Sequence, residues 1–297
     1  MDRAKTIKVY GSGVLFACIV GFSFLGVKVG VAITTPLMTM TFRYNFAFLG
    51  AAVFYIFSKE KFDLRGREKK NIFFTAFFYV VFMILQAIGL VYATSVESGI
   101  IFAVIPVFTK ILAGITLGER SGWKQNVFMC VSISALAAMI ICGASSITLN
   151  LLGAVVLMLS SLSLAISNVI MRYVRGKYTP MEISAVIAFL GFVSFNIATI
   201  ILSVRDGNLD SYIYLLGNVK FLIATAYLGI PSLLLSAWLM AYMTKNIEAV
   251  KATIFGNLST AISIVTGVVI LGEPLYIYHI VCTALVIIGV LGVSVTK

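Results

Sequence analysis

The sequence predicts an all-α integral membrane protein of ten transmembrane helices. They form two inverted five-helix repeats, residues 1–144 and 145–297, with both termini cytoplasmic. Three observations predict this. The chain is 61% hydrophobic and only 11% charged, with a mean hydropathy of +1.07. A water-soluble domain carries roughly 25% charged residues, so most of this surface must face lipid. Lys and Arg gather in alternate loops, and Leu-Gly-Glu closes two corresponding apolar runs.

In lipid, only helices and closed barrels satisfy their own backbone. The runs here lack the alternation of a barrel strand and approach the roughly twenty residues that a spanning helix needs. The first repeat holds runs over 9–31, 36–57, 71–92, 96–117 and 124–143. The second holds 148–171, 180–203, 218–242, 246–271 and 275–295. Arg3, Lys5 and Lys8 precede the first run. That run is too long for a signal-peptide core and has no clear small-x-small cleavage pattern, so it reads as a retained helix. The connecting loops are short and leave no room for a soluble catalytic or sensory domain.

Orientation follows from Lys and Arg alone. With a cytoplasmic N-terminus, the inner side receives the cluster from Lys59 to Lys70, then Arg120, Lys124, Arg172, Arg175, Lys177, Lys245, Lys251 and Lys297. The outer side keeps Arg205, Lys220 and Lys28, the last near the outer end of its helix. The positive-inside rule therefore puts both ends in the cytoplasm, which requires an even number of spans. The formal net charge of +11 does not mark a nucleic-acid partner, because the basic residues sit in these loops rather than on one soluble face. Cys18, Cys130, Cys142 and Cys282 all lie inside runs, form no CxxC pair and read as small packing residues.

Leu117-Gly118-Glu119 ends the fourth run and Leu271-Gly272-Glu273 the ninth. Ser95-Val96 and Ala249-Val250 open those two runs at the same distance upstream. Five spans per repeat is an odd number, so the second copy enters the membrane upside down, an architecture recurrent in transporters.

The run Gly21-Phe22-Ser23-Phe24-Leu25-Gly26-Val27-Lys28, followed by Pro36 and Phe42-Arg43, resembles the opening helices of the EamA family of the drug/metabolite transporter superfamily. The paired Leu-Gly-Glu motifs and the five-plus-five organisation extend that resemblance over the whole chain. Val20 and Leu164 stand where the family often has Trp, so no aromatic role carries over there. The resemblance implies export of amino acids or related small metabolites across a bacterial inner membrane by alternating access. Efflux of drugs or other organic solutes is the alternative. A non-transporting scaffold is the alternative from another class.

Charged residues within spans are costly and mark function by default. Arg43 lies about 10 Å from the outer end of the second run, at 1.5 Å per residue, and Lys110 a similar distance from the inner end of the fourth. Both are expected to line a central cavity and attract an anionic substrate group. Otherwise each snorkels to its nearer interface. Tyr79, Gln86, Asn168, Tyr227, Ser232, Trp238 and Asn257 complete the expected cavity. The bland alternative for the aromatic residues is packing or an interfacial belt. Glu119 and Glu273 are expected to anchor or gate the repeat ends, while Glu97, Glu182 and Glu248 read as solvated or capping residues. Pro106 and Pro231 are expected to kink their helices. Gly26-x-x-x-Gly30, Gly114-x-x-x-Gly118, Ser163-x-x-x-Ser167 and the stripe of Ser259, Ser263 and Gly267 offer close helix contacts.

An enzyme is not expected. His279 is the only histidine, with no ligand-spaced partner, and no phosphate-binding glycine loop is present. No metal or other cofactor is implied. A channel is disfavoured by the lack of a filter segment or a ring of like charge. The expected partners are a small-molecule substrate and the lipid bilayer, with oligomeric state, coupling ion and flux direction left open.

Overall fold

A computed structural model describes residues 3–57, 69–92, 98, 101–102, 104–118, 122–144, 151–206, 210–271 and 277–295. Among these residues there is no strand. Seven of the described helices are long and apolar enough to cross a bilayer. They fall on the expected runs: α1 (Arg3–Ile33), α2 (Pro36–Phe57), α3 (Lys69–Tyr92), α6 (Leu151–Val174) and α7 (Pro180–Asp206), then two helical stretches, Val219–Asn246 and Ala249–Ile270, that contain local breaks. A shorter apolar helix, α4 (Ile105–Leu117), lies on the fourth run, and α5 (Trp123–Ala144) on the fifth. A short helix of about two turns, α8 (Asp210–Leu216), precedes the eighth run and was not expected.

Local chemistry sets the boundaries. Pro36 opens α2, and Thr35 Oγ1 accepts the Met38 N–H at 3.2 Å, so a hydroxyl cap and a proline that needs no donor start the helix together. Thr179 and Glu182 form a reciprocal capping box at the start of α7, with Thr179 N–H on Glu182 Oε2 at 2.8 Å and Glu182 N–H on Thr179 Oγ1 at 3.2 Å. Glu182 is therefore a buried cap, the second of its two expected roles. Gly118 ends α4 in the left-handed region at φ 65°, its N–H on the Ala113 carbonyl. A side chain there would strain the backbone, which explains the Gly of that Leu-Gly-Glu motif.

The two prolines behave differently from one another. Pro106 sits in the first turn of α4, because the chain breaks into a turn at Val104. The expected mid-span kink is thus corrected: at a helix start the missing N–H costs nothing. Pro231 does lie mid-span. It falls in a π-helical segment, Ile230–Leu235, between α9 (Val219–Gly229) and α10 (Ser236–Asn246). The wider turn absorbs the lost hydrogen bond and rotates the register. The ninth run is also interrupted, at Ile254, between α11 (Ala249–Thr253) and α12 (Phe255–Leu271). The last helix is α13 (Ile277–Val295).

The helices pack in a reciprocating pattern. α1 packs on α12, and α6 on α4. α3 packs on α6, and α9 with α10 on α1. α3 meets α7, and α9 meets α2. The pairs α2 with α7, α5 with α13 and α4 with α11 also touch. The main core gathers Tyr44, Ile72, Leu157, Met171, Ile187 and Leu233. Apolar side chains such as Ile115, Ile201 and Val269 stand largely exposed around the outside, as lipid contact demands.

Candidate functional site: a buried cavity between the two halves

Both halves of the chain line one cavity of about 100 Å³. α1 supplies Phe16, Val20, Ser23 and Phe24, α2 supplies Arg43, and α3 supplies Tyr79, Phe82, Met83 and Gln86. From the second half come Leu164 and Asn168 on α6, Ser232 in the π-segment and Ser236 on α10. Thr253, Gly256, Ser259 and Thr260 close it where the ninth run is broken.

Arg43 is 4% exposed. Its Nε donates to the Leu228 carbonyl at 3.1 Å and its Nη2 to Ser232 Oγ at 3.1 Å. Two of the five N–H groups of a guanidinium are thereby used, and among the described residues no carboxylate lines the cavity. A desolvated cation without an acid partner is costly in a membrane interior. Its position is fixed by the approach of α9 to α2 at Gly229, where an added Cβ would lie 2.4 Å from the Arg43 carbonyl oxygen. The N-terminal half of α2 is held to α7 and α8 by a polar seam. Thr41 and Thr199 hydroxyls meet at 2.6 Å, Asn196 Nδ2 donates to Asn45 Oδ1 at 2.6 Å, and Asn45 Nδ2 donates to the Tyr212 hydroxyl at 2.9 Å.

Tyr79 and Gln86 belong to α3, which two serines of α6 clamp in place. Ser160 donates to the Phe82 carbonyl at 2.8 Å and Ser167 to the Thr75 carbonyl at 2.9 Å. Ser236, which lines the cavity with Tyr79, donates its proton to the Ser232 carbonyl. Asn168 is 1% exposed, and its Oδ1 has no hydrogen-bond partner. An amide oxygen buried this way carries an uncompensated desolvation cost unless a donor enters the cavity.

Several small hydroxyls on the lining present acceptors. Ser23 donates to Val20 O at 2.7 Å, Thr253 to Val250 O at 2.9 Å and Ser259 to Gly256 O at 2.6 Å. With their protons spent on their own helices, these oxygens have only lone pairs to offer. One cation and these acceptors thus share the cavity with the Tyr79 hydroxyl and the Gln86 and Asn168 amides.

Of the residues singled out in the sequence, Arg43, Tyr79, Gln86, Asn168 and Ser232 come together here. Lys110 does not line the cavity, and its ammonium donates to Asn126 Oδ1 on α5. Tyr227 braces α9 against α1, donating to the Ile19 carbonyl at 2.9 Å. Trp238 stacks on Tyr242 at 5.6 Å and lines a separate chamber at one end of the bundle. Asn257 is buried with an unpartnered Oδ1, but its neighbours Gly256 and Ser259 line the cavity in its place. Glu119 and Glu273, with Glu97, lie outside the described residues. Ser23, Ser236, Thr253 and Thr260 carried no cavity expectation, since a short hydroxyl in an apolar run signals packing as readily as a site.

The architecture has close counterparts. The model of the EamA-like transporter family matches the chain twice, over residues 8–141 and 151–295. An uncharacterized transporter of Bacillus subtilis, YcxC, is 32% identical over 99% of this chain and 95% of its own length. An uncharacterized transporter of Archaeoglobus fulgidus is 24% identical over 91% of this chain and 92% of its own. A solved structure titled only as a protein crystal structure superposes with a TM-score of 0.78 at 10% identity, covering 97% of this chain and 98% of that one, which shows the shared fold. With a family match in each half and an all-helical, multi-pass apolar body, this chain belongs to the EamA-like transporter family.

Proposed function

We propose that the protein carries zwitterionic amino acids, or metabolites with the same pair of charges, out of the cell through this cavity. The observation that carries the reading is that Arg43 and Asn168, whose Oδ1 has no hydrogen-bond partner, line the same cavity. A guanidinium with spare donors suits a carboxylate. An amide oxygen among hydroxyl acceptors suits an ammonium. A simple organic anion would satisfy only the first of these.

Alternating access accounts for the packing pattern. On a ten-span reading, Val219–Asn246 and Ala249–Ile270 each count as one span. Exchanging every span with the one five places away then turns α1 on α12 into α6 on α4. It likewise turns α3 on α6 into α9 and α10 on α1, and leaves α2 with α7 unchanged. Contacts related this way are what two inverted halves would make, and such halves could swap conformations to open the cavity first on one face and then on the other. The basic loops favour cytoplasmic termini in a plasma membrane.

Competition in proteoliposomes tests the substrate class. Export of a labelled neutral amino acid should be inhibited by other free amino acids. Its methyl ester, lacking the carboxylate, and its N-acetyl derivative, lacking the ammonium, should each compete at least tenfold more weakly. A site that reads hydrogen-bonding groups discriminates strongly against analogues that leave its polar atoms unpaired. Equal competition by the N-acetyl derivative would replace the zwitterion with an organic anion.

A further inference from the structure

A second recess lies at the end of the bundle where α1 begins, α2 and α10 end and α7 starts. It is larger than the central cavity, about 590 Å³ on the same measure, and Lys5, Lys245, Trp238, Tyr242, Phe54 and Glu182 are among its walls. The Trp238 and Tyr242 rings stack with their planes 9° apart and form an aromatic platform. The two lysines outnumber the one carboxylate, Glu182, whose Oε2 also accepts the Thr179 N–H at the start of α7. The chamber is therefore cationic and aromatic.

Glu182 also lines a third recess, of about 400 Å³, between α2, α3 and α7. Apart from that residue and Tyr55, its walls are Ala, Val and Phe side chains. Phe54 and Tyr55, which flank the junction, are 47% and 39% exposed. A cationic aromatic chamber thus shares a wall residue with an apolar fissure at one end of the bundle. That arrangement matches the two ends of a lipid molecule.

We propose that these adjoining recesses hold one anionic phospholipid, its phosphate drawn by Lys5 and Lys245 and an acyl chain laid in the fissure. In the orientation proposed above, the lipid comes from the cytoplasmic leaflet, where basic residues near the surface attract anionic headgroups. The site is separate from the transport cavity, with no lining residue in common. The proposal does not depend on what the central cavity carries.

Native mass spectrometry of the full-length protein in detergent tests it, with titration by phosphatidylglycerol, by phosphatidylcholine of the same chains, or by inorganic phosphate. The expected result is one retained phosphatidylglycerol per chain, with at least tenfold weaker retention of phosphatidylcholine and no phosphate adduct. The K5Q/K245Q double variant should lose at least tenfold in phosphatidylglycerol retention while its phosphatidylcholine background stays unchanged. Equal retention of the two lipids by the natural protein would overturn the proposal, and that comparison needs no variant to fold. Undiminished phosphatidylglycerol retention by K5Q/K245Q would overturn it too, as would a phosphate adduct that accounts for the lysine dependence without lipid.

Discussion

Replacing Arg43 with methionine should lower transport on the order of 10- to 100-fold while leaving the folded protein as stable as before, or more so. The transport loss follows from removing the cation that lines the cavity, since a charge-assisted hydrogen bond contributes about 1.5–3 kcal/mol. The stability expectation has a separate origin. Arg43 is buried with a carbonyl and a hydroxyl as its hydrogen-bond partners, and burial of such a cation is compensated poorly in the absence of substrate. An apolar side chain of similar length relieves that cost. Transport counterflow and thermal unfolding in detergent, measured on the same preparation, separate the two effects. Arg43→Lys keeps the charge but loses the planar fork, so it should recover part of the transport. A variant that lost stability in proportion to transport would make Arg43 a structural residue instead.

Gly229→Ala should produce the opposite pattern, with stability and transport falling together. The added Cβ would lie 2.4 Å from the Arg43 carbonyl oxygen, 2.6 Å from Phe46 Cβ and 2.9 Å from the Ala47 nitrogen. Two of those atoms are backbone and cannot rotate aside, so α9 must move away from α2. Over-packing of this kind costs about 1–3 kcal/mol. Here it also pulls the Leu228 carbonyl away from Arg43 Nε. Gly176→Ala is the matched control, since nothing lies within 4 Å of its added Cβ. It should shift stability by no more than about 0.5 kcal/mol, the ordinary range for surface changes. Unfolding midpoints in detergent give the comparison directly.

The helical body was legible in the sequence because hydropathy over about twenty residues records a spanning helix without any knowledge of its neighbours. Irregularities were less legible. The turn at Val104 and the break at Ile254 lie inside uninterrupted apolar runs, and only Pro106 hinted at the first. Pro231 signalled a disturbance correctly but not its form, since a π-segment and a simple kink start from the same missing N–H.

The cavity divides along similar lines. Arg43, Gln86 and Asn168 stood out because a charge or an amide inside an apolar run demands a partner. Lys110 stood out for the same reason, yet its partner is Asn126 on the following helix. Hydropathy says that such a residue needs company and not which side of the helix supplies it. Tyr227 and Trp238 differ again, because a tyrosine that braces two helices and one that faces a substrate have the same sequence signature. Gly229 and the π-segment, which together aim Arg43 and Ser232, depend on contacts between distant runs and leave no local trace.

The central claim is carriage of free amino acids through the Arg43 cavity. Counterflow tests it most directly, in proteoliposomes preloaded with a mixed amino-acid pool and diluted into labelled amino acids at equal pH. The account predicts saturable accumulation of label that collapses when Arg43 is replaced. Absence of counterflow for every amino acid, from protein shown to be folded, would contradict it.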